Sequence, residues 1–134
     1  MTTEKDALVQ EIGALILADP RYEGPWEELA LVADLTGSPS MHGYVYLADG
    51  GFEARVPGFD VLRRIRTLHA VMAEAPGGAW HQCLVHLTRP DLTLSVEFEH
   101  DDPDRWGVRE ISRDMSVYAA SLRRRPPAEP RASV

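Results

Sequence analysis

The chain has 134 residues, 44% of them hydrophobic, a formal net charge of -7 and a single cysteine. This composition predicts one globular domain, and the lone cysteine excludes an internal disulfide, a CxxC redox pair and a zinc site of several thiolates. The negative charge opposes binding to nucleic acid. Because no apolar run approaches the roughly 18 to 20 residues that span a bilayer, and the acidic N-terminal stretch is unlike a secretory signal, we expect a cytoplasmic protein without membrane contact.

Apolar residues recur at three- and four-residue spacing near the N-terminus, which predicts an amphipathic helix from Glu4 to Ala18. The alternating stretch at 26–37 then predicts a strand, one face of which carries Leu29, Leu31, Ala33 and Leu35. Aromatic and β-branched residues at 42–49 and 52–57 predict a second and a third strand, joined by a Gly-Gly turn.

A second helix is predicted after Pro57-Gly58, because one helical face collects Phe59, Leu62, Ile65, Leu68, His69 and Met72. Residues 80–88 and 92–99 predict two further strands, joined by a short turn. A last helix is expected from Arg109 to Arg124. The prolines and charges of residues 126–134 predict a flexible tail.

This order, α-β-β-β-α-β-β-α, predicts a single α+β domain over residues 1–125, with a mainly antiparallel sheet and helices packed chiefly on one face. The strand at 92–99 alternates cleanly between apolar residues and the polar set Thr93, Ser95, Glu97 and Glu99. One face of its hairpin must therefore be buried and the other wet. We expect the second sheet face to be open to water and to carry the function.

The most distinctive segment is Ser95 to Trp106, which reads SVEFEHDDPDRW and holds five acidic residues. Glu97 and Glu99 should lie on one side of a strand, roughly 7 Å apart. That spacing suits two-carboxylate catalysis or a hard metal ion, although the segment lacks the glycine and terminal glutamate of an EF-hand loop. A solvated turn and an acidic surface for a partner are the other interpretations.

The histidines, the cysteine and the glycines of the chain are not spaced as in known metal-binding or catalytic motifs. The five histidines form no HxH or HxxxH pair and are expected to be structural or surface residues: His42, His69, His81, His86 and His100. Cys83 shares a strand face with apolar neighbours, which predicts a buried, inert thiol. No P-loop, GxGxxG or GxSxG motif occurs. The sequence therefore predicts no catalytic residue, no metal site and no cofactor.

The order of elements resembles the YezG-like immunity protein family. The resemblance rests on the strand WEELALVADL, the helix FDVLRRIRTLHAVM, the tryptophan-led strand WHQCLVHL and the segment VEFEHDDPDRW, and it covers roughly residues 5 to 125. The chain differs from the family's usual pattern in the turn TRPDL, where a glycine is common, and at His100, where a tyrosine is common.

The resemblance implies a bacterial antitoxin of a polymorphic toxin system, which binds and neutralises the toxin domain of its own cell and is not an enzyme. Such toxins are often nucleases. The acidic segment would then supply the partner-binding residues Glu97, Glu99, Asp101, Asp102, Asp104 and Trp106. A protein-binding adaptor domain unrelated to toxins, or a small enzyme that uses Glu97 and Glu99, are the alternatives. The oligomeric state is not predicted.

Overall fold

The computed structural model describes residues 3–102, 105–106 and 116–122 as a five-stranded antiparallel sheet with three α-helices and a short 3-10 helix. The predicted α+β class and the order of elements are confirmed. In space the strands follow the order β3-β2-β1-β4-β5. The elements are α1 Glu4–Ala18, η1 Pro20–Tyr22, β1 Glu28–Asp34, β2 Ser40–Tyr46, β3 Phe52–Ala54, α2 Phe59–Ala73, β4 Gln82–Thr88, β5 Thr93–Glu99 and α3 Ser116–Ser121.

Helix α1 begins and ends as its sequence predicts. The Thr3 hydroxyl caps the N-terminus by accepting a hydrogen bond from the backbone N–H of Asp6. Pro20 follows Asp19, and the residue before a proline resists helical geometry, so the helix stops at Ala18. The Asp19 carboxylate accepts hydrogen bonds from the backbone N–H groups of Arg21 and Gly58, each at 2.9 Å. One buried carboxylate thus ties the end of α1 to the start of α2.

The first face of the sheet is covered by α1 and α2, so the prediction that helices pack chiefly on one face is confirmed for these two. Odd-numbered residues of β1 and β4 point to this side, together with the apolar stripes of both helices. The centre of this core is formed by Ile12, Ile16, Leu29, Leu31, Val45, Ile65, Leu68, Val85 and Leu87. Cys83 is fully buried in the same layer, as predicted, and its burial raises the pKa of the thiol to about 12.

The second face is covered at its centre, so the expectation that it lies open to water is wrong there. A smaller apolar cluster joins the central strands to α3 and to Trp106; it contains Ala30, Val32, Tyr44, Tyr46, Leu84, Trp106, Ala119 and Leu122. The physical reason is that β1 presents Ala30 and Val32 on this side and β4 presents Leu84 between the buried polar residues Gln82 and His86. Central strands buried on both faces need a cover on each side. Toward the sheet edges this face is more exposed, as at Ser40, Ala54 and Glu97.

Part of the predicted C-terminal region lies outside the described residues. Of the helix expected from Arg109 to Arg124, the structure describes α3 and Leu122, and the tail at 126–134 is not among the described residues. None of the helices that the structure describes is both long and apolar enough to cross a membrane.

Candidate functional site: the acidic end of strand β5

The acidic residues cluster where the last strand of the sheet ends. Glu97 and Glu99 lie on the second face of β5, opposite Leu84 and Gln82 of β4. Asp101 and Asp102 follow in an exposed loop. Glu97 is exposed, whereas the Glu99 side chain is only 15% exposed. The four carboxylates therefore share one corner of the molecule but differ in how accessible they are. Asp104, the fifth predicted residue, lies outside the described residues.

The Glu99 carboxylate is used by its own chain. One oxygen accepts hydrogen bonds from the backbone N–H groups of Asp102 and Asp101, both at 3.0 Å. The other oxygen accepts from the Arg105 guanidinium at 2.9 Å. The Asp102 and Asp101 N–H groups and then Arg105 favour the charged form and lower the pKa of Glu99 to about 2. Glu99 therefore closes the turn after β5 and has little capacity left for a partner.

Arg105 joins the two glutamates. Its guanidinium lies 3.5 Å from the Glu97 carboxylate as well as 2.9 Å from that of Glu99. The contact to both confirms that Glu97 and Glu99 share one side of the strand. The same guanidinium lies over the Trp106 ring, 4.5 Å from its centroid, in cation–π geometry. One arginine thus partly offsets the charge of the strand.

Trp106, which is among the predicted partner-binding residues, lies beneath this corner and is largely buried. The residue is 7% exposed and packs into the second-face cluster. Its backbone N–H donates to the buried Gln82 side chain at 2.8 Å, and Gln82 in turn donates to the Asp34 carboxylate at 3.1 Å. The His42 side chain also hydrogen-bonds to the Trp106 backbone, and burial lowers the pKa of this histidine. Trp106 therefore anchors the acidic loop to β1, β2 and β4.

The Glu99 carboxylate does not have the pKa shift of a general acid. Two-carboxylate catalysis needs one carboxylic acid that keeps its proton near neutral pH, and Glu99 has the opposite shift. Two surface cavities of about 350 and 380 Å³ lie elsewhere, one beside Phe59 and Leu62 and the other between α1 and α2. Within the described ranges, no group of three histidine, cysteine or acidic side chains is placed to hold a metal ion.

The histidines behave as structural residues where the structure shows a bond. His69 Nε2 lies 2.9 Å from the carbonyl oxygen of Trp80, and His86 Nε2 lies 2.6 Å from that of Leu122. His86 is 1% exposed and joins β4 to the residue after α3. The predicted structural role is confirmed for these two residues and for His42.

Two residues that organise the corner were not found by sequence analysis. Arg105 follows Glu99 by six positions, and only the turn brings the two side chains together. Gln82 does carry a signal, because a polar amide stands directly before the apolar run Cys83 to Val85 of a buried strand. A buried amide requires hydrogen-bond partners, and Asp34 and Trp106 supply them.

A comparison of the chain with models of known protein families finds no match, and a search of curated proteins finds none either.

Proposed function

We propose that this chain is an immunity protein that acts in the cytoplasm, where it binds and neutralises a toxin domain through the acidic corner formed by Glu97, Asp101 and Asp102. The single observation that carries the proposal is the placement of these exposed carboxylates together at the end of an edge strand. Glu99 belongs to the corner as a structural residue. Asp104, which follows Asp102 in the sequence, is part of the proposal on sequence grounds alone.

Charge supports a toxin that acts on nucleic acid. A nuclease presents a basic surface to its phosphodiester substrate, so an acidic inhibitor is attracted to that surface. The chain as a whole has a net charge of -7, which adds a long-range attraction to the local one. Such complementarity accelerates association and penalises wrong partners more than it increases affinity.

Rigidity of the corner also supports a binding role. Glu99 fixes the turn, Arg105 connects it to Glu97, and Gln82 holds the backbone of Trp106. Loops that must be ordered on binding lose affinity to conformational entropy, and a loop held in advance avoids most of that cost. The acidic side chains of Asp101 and Asp102 therefore extend from a backbone that is already in place.

The decisive experiment identifies a toxin-like domain encoded immediately upstream of this chain and co-expresses the two; the lack of any such neighbour would count against the proposal. We expect the cells to survive and the two proteins to purify as a complex. Toxicity that persists despite good expression of this chain would reject the proposed function. A catalytically dead toxin domain gives the control for expression, because it allows complex formation to be measured without selection for survival.

Charge reversal then tests the acidic corner within that complex. The double variant Glu97→Lys with Asp102→Lys should slow association by about tenfold or more and flatten its dependence on salt. The matched control, Glu23→Lys with Asp91→Lys, changes the charge equally at exposed positions near the other ends of the strands. Equal association rates for the two double variants would remove the acidic corner from the interface.

An adaptor domain that binds a protein other than a toxin is the second candidate. The observation in its favour is the same acidic corner, because neither the charge nor the fold specifies what the partner does. Two results together would support the adaptor. The chain would form a stable complex with a non-toxic protein encoded by a neighbouring gene, and it would fail to protect cells against the toxin.

A further inference from the structure

Strand β5 forms one edge of the sheet, and its outer side has a defined hydrogen-bonding pattern. Residues of an antiparallel strand alternate between pointing their N–H and C=O groups to one neighbour and to the other. The Glu99 carbonyl oxygen accepts a hydrogen bond from the backbone N–H of His81, which directly precedes β4. The backbone groups of Glu99 and of the residues that alternate with it therefore point inward, toward β4; these are Thr93, Ser95 and Glu97. The N–H and C=O groups of the alternate residues Leu94, Val96 and Phe98 therefore point away from the sheet.

No residue in the described part of the chain pairs with these outward groups. Helix α1 packs over the first face of β5, where Gly13 contacts Leu94 and Lys5 lies over the Phe98 ring, and it does not pair with the edge. The opposite edge differs, because β3 has only three residues, Phe52–Ala54. A short edge strand is a usual protection against pairing with other chains, and β5, with seven residues, lacks it.

We propose that the outer edge of β5 is a docking site for an extended segment of the protein partner, which adds to the sheet as a sixth strand. The identity of the partner as a toxin rests on the proposed function. The binding of a strand at this edge is independent of that function. Main-chain hydrogen bonds supply affinity in this mode of recognition, and alternate side chains supply specificity.

The side chains beside the edge define the added segment. On the second face the segment lies next to exposed Glu97 and close to the loop of Asp101 and Asp102, so its residues on that side are arginine or lysine. On the first face it lies next to the half-buried Val96 and Phe98, so its residues there are apolar. The segment that fits alternates basic and apolar residues.

Charge favours such a partner over a second copy of this chain. Each copy has a net charge of -7, and pairing two β5 edges brings two acidic corners onto one sheet. Like charges across neighbouring strands are destabilising. A basic segment meets the same edge with opposite charge, which is why the partner is assigned that chemistry.

Val96→Pro tests the edge selectively. Proline lacks the backbone N–H, and at position 96 that group points outward, so the pairing of β5 with β4 is retained. Val96→Ala is the matched control for the lost side chain, because it keeps the N–H. Thermal unfolding of both variants shows whether each remains folded.

The probe is a nine-residue synthetic peptide of alternating valine and arginine, studied by NMR with the isotope-labelled protein. We expect chemical shift changes to be largest at the amides of Leu94, Val96 and Phe98. Affinity should fall about tenfold or more for Val96→Pro and for a peptide methylated on its pairing nitrogens, while Val96→Ala changes it little. A valine and glutamate peptide should bind at least tenfold more weakly than the arginine peptide.

Binding that is insensitive to methylation and to Val96→Pro overturns the proposal, since it would come from charge alone. Self-association of the free chain through β5, abolished by Val96→Pro, also overturns it, because the occupant would be a second copy. Failure of the proposed function can be distinguished from failure of the docking proposal. If the peptide binds at the edge but the upstream toxin domain is not neutralised, the docking edge stands and the toxin assignment falls.

Discussion

The two faces of the sheet are covered in different ways, although the same strands build both. The first face packs against α1 and α2 through aliphatic side chains such as Leu31 and Ile65. The second face mixes apolar contacts with directional hydrogen bonds from buried polar groups. Apolar burial is not directional, so the first face contributes stability while the second face determines where a short helix and a loop are held.

The hydrogen bonds of the second face reach three separate points. Tyr46 donates its hydroxyl hydrogen to the carbonyl oxygen of Ala119, and His86 Nε2 contacts that of Leu122. Gln82 accepts from the Trp106 backbone. The first two bonds fix the end of α3, and the third fixes the base of the acidic loop. The second face thus connects the position of the candidate site to the polar side chains of the central strands.

The largest effect is expected from a cavity on the first face. Leu31 is fully buried at the centre of β1, so Leu31→Ala should lower the free energy of unfolding by about 2 to 5 kcal/mol. Chemical denaturation measures the change. Leu17→Ala, at a position 38% exposed, is the control and should change stability little. Similar losses in the two variants would contradict the assignment of the main core to the first face.

Substitution of a polar residue on the second face should lower the free energy of unfolding by less, and its effect should be local. Gln82→Leu keeps the volume of the side chain and removes its bonds to Asp34 and Trp106, so it should lower the free energy of unfolding by about 1 to 3 kcal/mol. Hydrogen exchange at the Trp106 amide should accelerate more than exchange at the centre of β4. Uniform acceleration along the chain would show that Gln82 supports the whole sheet rather than the loop.

Tyr46→Phe removes one hydrogen bond from the second face. We expect a loss of roughly 0.5 to 1.5 kcal/mol in the free energy of unfolding, together with faster hydrogen exchange in α3. Tyr22→Phe is a matched control, because the Tyr22 hydroxyl also donates to a backbone oxygen, that of Arg55, but from the first face. If both variants changed α3 equally, the Tyr46 contact would not be what holds that helix.

The smallest effect is expected at the acidic corner and depends on pH. Because folding lowers the pKa of Glu99 to about 2 from an ordinary value of 4.5, its contribution to stability is complete above pH 4.5 and is lost as the pH falls toward 2. Glu99→Gln should remove that part of the pH dependence. Melting temperatures measured between pH 2 and 6 check this change, with Glu23→Gln at an exposed position as the substitution of the same kind for comparison.

Sequence patterns predicted most of the fold because they report directly on periodicity. Helix α1 was predicted at its observed bounds, and the alternation in 26–37 assigned Leu29 and Leu31 to the face that forms the main core. The cover on the second face was missed, although Val32 and Leu84 carried the signal. Both are apolar on the side expected to be wet, and that pattern is typical of a strand buried on both faces.

The candidate site was less predictable, because its details depend on turns. Sequence placed Glu97 and Glu99 on one side of β5 but could not show that Glu99 accepts from its own loop and from Arg105. Nor could it separate an exposed tryptophan from a buried one at the end of a loop, and Trp106 is buried. Hydrogen bonds between residues two to six positions apart follow from loop geometry, which residue types and spacing do not specify.

The buried Cys83 gives the protein a built-in reporter of its own fluctuations. It is the only cysteine of the chain and has no exposed surface, between β1 and β5 in the interior of the sheet. A thiol-specific reagent can therefore label the native protein only when β4 is transiently released. The labelling rate at increasing denaturant measures the free energy of that opening at one defined place, with no engineered probe and no second thiol to subtract.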